Sequence, residues 1–230
     1  MTAPPSSPTV QICRTCGGGA PVDAHFCSQC TKILTLNRHG DYFSFLGFPR
    51  KLEIDQPALE QKFRTLSRQF HPDFFYNATP AERRASLERS SYLNDAYRTL
   101  KQPVARIAYL LELEGFAPSG AGNSSNQVPP GLLEEVFALN EELDEVRELK
   151  TGGAPADAWR ERLERARLPI ERKSEEHEQQ LRTLSSEWDA LPEPAPAGEK
   201  ARLLASLRDR MLERNYINNL LGTIERELKA

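Results

Sequence analysis

The chain has 230 residues, 39% of them hydrophobic, and 30 basic against 33 acidic side chains give it a net charge of -3. This is an ordinary composition for a globular protein, with room for one large domain or two to three small ones, and no run of about 18 apolar residues is available to span a membrane. The slightly acidic balance offers no general attraction to nucleic acid or anionic lipid, so the expected partners are other proteins.

The opening MTAPPSSPTV lacks the basic and apolar regions of a secretory signal and the Arg-rich pattern of a transit peptide, which makes a cytoplasmic setting the default expectation. All four cysteines fall in the first thirty residues, as Cys13-Arg14-Thr15-Cys16 and, ten residues on, Cys27-Ser28-Gln29-Cys30. Two such pairs, the first followed by Gly17, Gly18 and Gly19, can fold back to surround one tetrahedral ion. Zinc suits four sulfurs, needs no open position and can fold a segment too short to have a core. Iron in the same sulfur cage is the rival metal. Two disulfides or a redox pair are the other readings, although no βαβ pattern surrounds either CxxC. A full sulfur shell argues against catalysis at this ion, and His25 is expected at the surface.

From about Tyr42 onward the apolar residues recur at helical spacing, which predicts an all-α body. A short helix is expected within Asp41 to Phe48. Between Asp55 and Phe70, Leu59, Phe63, Leu66 and Phe70 form one narrow stripe. Asp55 can cap this helix, and Pro57 sits in its tolerant first turn. Lys62, Arg64 and Arg68 lie off the stripe, where plain solvation competes with a binding role. Pro72 lacks an amide hydrogen and disfavours helical geometry at His71, so the helix ends and His71-Pro72-Asp73 stands in a turn. Thr79, Pro80 and Glu82 then make a capping box with proline at the first helical position. The new helix has Ser86, Ser90, Leu93, Tyr97 and Leu100 inward and stops before Pro103. Two antiparallel helices with His-Pro-Asp between them result, and a purely structural capping role for His71 and Asp73 is the competing interpretation.

After PVARIAYLLELEGF, residues 103–116, the stretch APSGAGNSSNQVPP reads as a flexible linker. Three further helices are expected over Leu132 to Lys150, Asp157 to Leu191 with a kink at Pro169, and Glu199 to Lys229, forming an antiparallel three-helix bundle. The boundaries are residues 1–38 for the cysteine segment, 39–116 for the helical hairpin with its flanking helices, 117–130 for the linker and 131–230 for the bundle. On the first bundle helix Leu132, Val136, Leu139, Leu143 and Val146 share a stripe. Leu133 and Phe137 lie away from it, beside Asn140, Glu141, Asp144 and Glu145, and are surplus to the core.

The stretches DYFSFLGF, ALEQKFRTLSRQFHPDFF and YLNDAYRTLKQP, in this order, resemble a J-domain. Together with SSYLNDAYRTLKQPVARIAYLLELEG, NEELDE and the terminal helices, they are similar to HscB, the J-protein family of iron-sulfur cluster assembly, over residues 42–228. A tetracysteine segment occurs in some HscB proteins. The resemblance implies that His71, Pro72 and Asp73 trigger ATP hydrolysis in a DnaK- or HscA-type chaperone, with Lys62, Arg64 and Arg68 as the docking face. It also implies that the bundle holds the cluster scaffold IscU, with Leu133, Phe137, Glu141 and Glu145 as the contact, and that the protein carries no cluster of its own. Phe137-Ala138 stands where the family often has Met-Glu. Self-association is compatible with the same pattern.

The alternative from another class is a zinc-ribbon nucleic-acid binder using Arg14, Lys32 and Arg38 on phosphates, against which the few basic residues weigh. An enzyme is not expected, because no nucleophile and base pair, phosphate loop or open metal site is visible.

Overall fold

The computed structural model describes residues 10–36, 40–116 and 128–229. Arg38 and the expected linker up to residue 127 lie outside them. The chain forms two compact units, one reaching to Arg106 and one beginning at Ile107.

In the first unit a two-stranded antiparallel sheet, β1 (Val10–Ile12) and β2 (Gly19–Pro21), pairs Gln11 with Ala20 across the first cysteine pair. The periodicity gave no sign of these strands, which are three residues each. Helix α1 (Tyr42–Leu46) is bounded by Asp41, whose carboxylate accepts from the Ser44 amide while Ser44 Oγ accepts from the Asp41 amide. It ends at Gly47, where φ of 74° is a left-handed conformation open to glycine at no steric cost.

Helix α2 (Gln56–Phe70) buries Leu59, Leu66 and Phe70, while Phe63 is half-buried and stacks on Tyr97 with ring centroids 4.2 Å apart. Asp55 occupies the N-cap position but its side chain makes no capping bond, contrary to the expectation for it. A 3-10 turn (Pro72–Phe75) follows, then α3 (Pro80–Lys101), whose capping box forms as its sequence predicts. The Glu82 amide donates to Thr79 Oγ1 at 3.3 Å and the Thr79 amide to Glu82 Oε2 at 3.1 Å. Residue 63 meets 97 and residue 70 meets 86, so α2 and α3 run antiparallel. Helix α4 (Pro103–Leu113) starts at the proline that ends α3.

The second unit carries a 3-10 turn (Pro130–Leu132), α5 (Leu133–Thr151), α6 (Ala156–Asp189) and α7 (Ala197–Lys229). Ion pairs of Glu142 with Arg162 at 2.8 Å and Glu135 with Lys173 at 3.8 Å make α5 and α6 antiparallel, and those of Glu178 with Arg214 at 3.4 Å and Glu187 with Arg202 at 3.9 Å make α6 and α7 antiparallel, so α5 and α7, joined by Lys150 and Glu227 at 3.1 Å, are parallel. Leu139, Leu143 and Val146 meet Trp159, Leu163, Ile170, Ile217 and Ile224 in the core. Helix α6 runs on through Pro169, where the missing amide removes one rung of the hydrogen-bond ladder. Gly152 ends α5, its amide donating to the Glu148 carbonyl at 2.9 Å. No helix among the described residues is long and apolar enough to cross a membrane.

Candidate functional site

The His-Pro-Asp loop is held from behind and open in front. The carbonyl of Phe70, the last residue of α2, accepts hydrogen bonds from Ser86 Oγ at 2.6 Å and Ser90 Oγ at 3.0 Å, both on α3. These bonds satisfy a carbonyl near the helix end, where the regular ladder runs out. Beyond it, the Phe74 amide donates to the His71 carbonyl at 3.0 Å and closes the turn. The His71 and Asp73 side chains are 52% and 85% exposed, with His71 Nδ1 3.5 Å from Asp73 Oδ2. Lys62, Arg64 and Arg68 are exposed on the same helix, and Arg64 also pairs with Glu60 at 2.5 Å. The loop's chemistry is display of an imidazole and a carboxylate, without a nucleophile between them. Phe74 and Tyr76, exposed beside it, had no place in the periodic pattern.

The four cysteines come together on two matching knuckles. In the first, the Gly17 amide donates to the Cys13 carbonyl and the Cys13 amide to Gly18; in the second, the Thr31 amide donates to Cys27 and the Cys27 amide to Lys32. The motif therefore repeats at an offset of 14 residues, with Gly17 and Thr31 at equivalent positions and φ of 73° and 57°. A β-branched threonine in the left-handed region is strained, and the turn holds it there. The sulfurs of Cys13 and Cys30 lie 3.6 Å apart and those of Cys16 and Cys27 3.7 Å apart, all four within 4.8 Å of one another. These are free cysteines, not disulfides. Sulfurs bound at about 2.3 Å around a tetrahedral ion stand about 3.8 Å apart, so the geometry fits a metal ion. The amides of Cys16 and Thr15 aim at Cys13 and lower its thiol to about 6, and those of Cys30 and Gln29 lower Cys27. The Lys32 amide acts likewise on Cys30, but burial and the sulfurs of Cys16, Cys13 and Cys27 outweigh it and push that thiol up to about 12. Four thiolates so close repel unless a cation sits among them.

The cysteine segment is packed on the hairpin through a residue that periodicity did not single out. Arg89, 2% exposed on α3, donates through Nε to the Leu34 carbonyl at 2.8 Å and through Nη2 to Ala24 at 3.3 Å and Thr35 at 3.2 Å. Its Nη1 lies 2.8 Å from His25 Nδ1, which must accept because a guanidinium only donates. The guanidinium also lies over the rings of Phe45 and Phe70. His25 is therefore packed, not at the surface as expected, and sits edge-on to Phe45 and Phe70 at 4.8 and 5.0 Å. Burial first, then the charges of Arg89 and Lys62, lower its pKa to about 4 and keep it neutral. Lys32 adds an ion pair to Glu82 at 3.0 Å. One signal was available: the buried face of α3 is Glu82, Ala85, Ser86, Arg89, Leu93, Ala96 and Leu100, so an arginine stands in a helical stripe of small and apolar residues.

On α5, Leu133 and Phe137 are 40% and 66% exposed, off the stripe that enters the core. Glu141 and Glu145 are exposed beside them, and Glu145 pairs with Arg162 of α6.

A helical hairpin that presents His-Pro-Asp in its connecting turn, followed by a three-helix bundle, defines a J-domain protein. No protein-family model matches the chain. Its structure is similar to the crystal structure of human co-chaperone protein HscB, with a TM-score of 0.66 and 26% identity over 94% of this chain and 98% of that one. It is also similar to chaperone HscB from Vibrio cholerae, with a TM-score of 0.53 and 27% identity over 81% of this chain and 96% of that one. The chain shares its fold with these two HscB proteins over most of its length.

Proposed function

We propose that this protein is a co-chaperone that brings an iron-sulfur cluster scaffold of the IscU type to a DnaK- or HscA-type chaperone and stimulates that chaperone's ATPase. Residues 39–116 act on the chaperone and residues 131–230 hold the scaffold. The single observation that carries the reading is the placement of His71, Pro72 and Asp73 outside both apolar stripes, braced by the Phe70 carbonyl and turned to solvent. The Asp73 carboxylate offers a charge-assisted bond to a cation on the chaperone, and Pro72 fixes the turn that presents it. The exposed cations Lys62, Arg64 and Arg68 add attraction to an acidic surface. Leu133 and Phe137, with carboxylates beside them, are the scaffold contact, an apolar anchor of the kind in which few residues carry most of the energy.

Cys13, Cys16, Cys27 and Cys30 hold a structural zinc ion; the all-sulfur set supports a closed site, and elemental analysis of the purified protein decides between zinc and iron. The function is tested by steady-state ATPase of candidate DnaK-type chaperones with the wild type and with His71→Gln. Stimulation by the wild type and its loss in the variant, with an unchanged circular dichroism spectrum, is the expected result. Equal stimulation by both would sink the reading.

A further inference from the structure

Phe70 is the residue immediately before the His-Pro-Asp loop, and it is held from two directions. Its carbonyl is bonded to Ser86 and Ser90 of α3. Its ring, fully buried, packs against His25 and Phe26 of the cysteine segment, with centroids 5.0 and 6.0 Å away. The other side of that packing is Arg89, which bonds to the cysteine segment at the carbonyls of Ala24, Leu34 and Thr35 and the ring of His25. A segment of this length, closed by a two-stranded sheet and four cysteines, keeps its shape only around its ion. When the shape is lost, the Phe70 ring loses His25 and Phe26, Arg89 loses its bonds to the segment, and apolar ring surface that the segment covered is left to water, which is unfavourable. The end of α2 then keeps its carbonyl bonds to α3 but not the packing on the Phe70 ring.

We propose that the four-cysteine module is a metal-dependent brace for the His-Pro-Asp loop, with Arg89 as the positioning residue that transmits loss of the ion to the end of α2. This rests on the J-domain reading for its consequence, weaker chaperone stimulation by the metal-free protein, but not for the coupling itself. The apolar core of the hairpin alone then does not keep the loop in place.

The test is amide hydrogen exchange on the full-length protein, zinc-loaded and then stripped with a chelator under reducing conditions. Exchange should rise at least tenfold over residues 70–75 and 85–93 as well as over 10–36, and should return on adding zinc. In zinc-loaded Arg89→Met, which keeps an apolar stem, exchange over 70–75 should already be raised, and stripping should add little. Phe26→Ala leaves all four cysteines in place and should loosen 70–75 without loss of zinc, so the result does not depend on the folding of one variant. Opening of 10–36 alone, with 70–75 and 85–93 unchanged, overturns the brace. ATPase stimulation measured on the same samples should fall on stripping. If neither form stimulates any chaperone, the reading of the loop fails instead, and the exchange data still decide the brace.

Discussion

Removing both hydroxyls that hold the Phe70 carbonyl should cost far more than the two single removals together. Ser86 Oγ and Ser90 Oγ lie 2.6 and 3.0 Å from that oxygen, Ser86 is fully buried and Ser90 half-buried. In Ser86→Ala or Ser90→Ala the carbonyl keeps one donor, and the loss is that of one ordinary hydrogen bond, about 0.5–1.5 kcal/mol. In the double variant the carbonyl is left buried with neither donor, which adds its desolvation penalty of about 1–3 kcal/mol. The coupling energy in the double-mutant cycle is therefore about 1–3 kcal/mol, against at most about 0.5 kcal/mol for independent sites. The two single losses and the added penalty together come to at least about 2 kcal/mol, which corresponds to at least roughly 30-fold faster amide exchange in the helices that open together. Hydrogen exchange of the amides over 66–70 and 85–93 in the wild type, both single variants and the double variant measures it. Additive effects would mean that the carbonyl finds water or another donor once the serines are gone, and that α3 does not fix the start of the loop.

Three further outcomes are expected. Arg64→Glu with Arg68→Glu should weaken chaperone binding and flatten its dependence on salt, because exposed cations act mainly through long-range attraction; unchanged affinity at low salt would return both residues to a solvated face. Leu133→Ala with Phe137→Ala should weaken scaffold binding at least about tenfold, or 1.4 kcal/mol, with little change in melting temperature, since both side chains are exposed; wild-type affinity in calorimetric titration would refute the contact. His177, buried in α6, donates through Nε2 to the Arg210 carbonyl at 2.7 Å, and burial first, then the charges of Arg210 and Arg214, lower its pKa. Its folded value lies below the ordinary 6.5, so the neutral ring's contribution is full above that pH and is lost as the pH falls below it toward the folded value. Urea unfolding followed by the fluorescence of Trp159 and Trp188 should show the wild type's advantage over His177→Gln shrinking between pH 7.5 and pH 5.5, and an advantage that does not change would refute a buried neutral ring.

Much of the molecule was legible in local sequence because local physics determined it. Helical periodicity placed α2, α3 and the bundle helices within a few residues, Pro72 ended α2, Thr79 and Glu82 began α3, and Gly152 ended α5. Each depends on interactions within one or two turns, which a helical wheel or a cap motif reads directly. The paired CxxC spacing likewise announced a four-sulfur cluster, and the exposure of Leu133 and Phe137 followed from their angle to the α5 stripe.

Tertiary structure alone decided what the cysteine segment rests on. Arg89 meets carbonyls 54 to 65 positions away, Lys32 meets Glu82, and His25 fills a space between Phe45 and Phe70. Nothing periodic links those positions, and the same arginine, histidine and lysine at the same spacings would serve equally well on a solvated face. A charged side chain becomes structural only when folding removes its water and supplies fixed partners, and both depend on which surfaces meet. The sequence by itself determined the helices, the exposed tripeptide and the sulfur cluster; the tertiary structure decided that cluster and loop share Phe70 as a common support, because that contact exists only once the two segments are packed together.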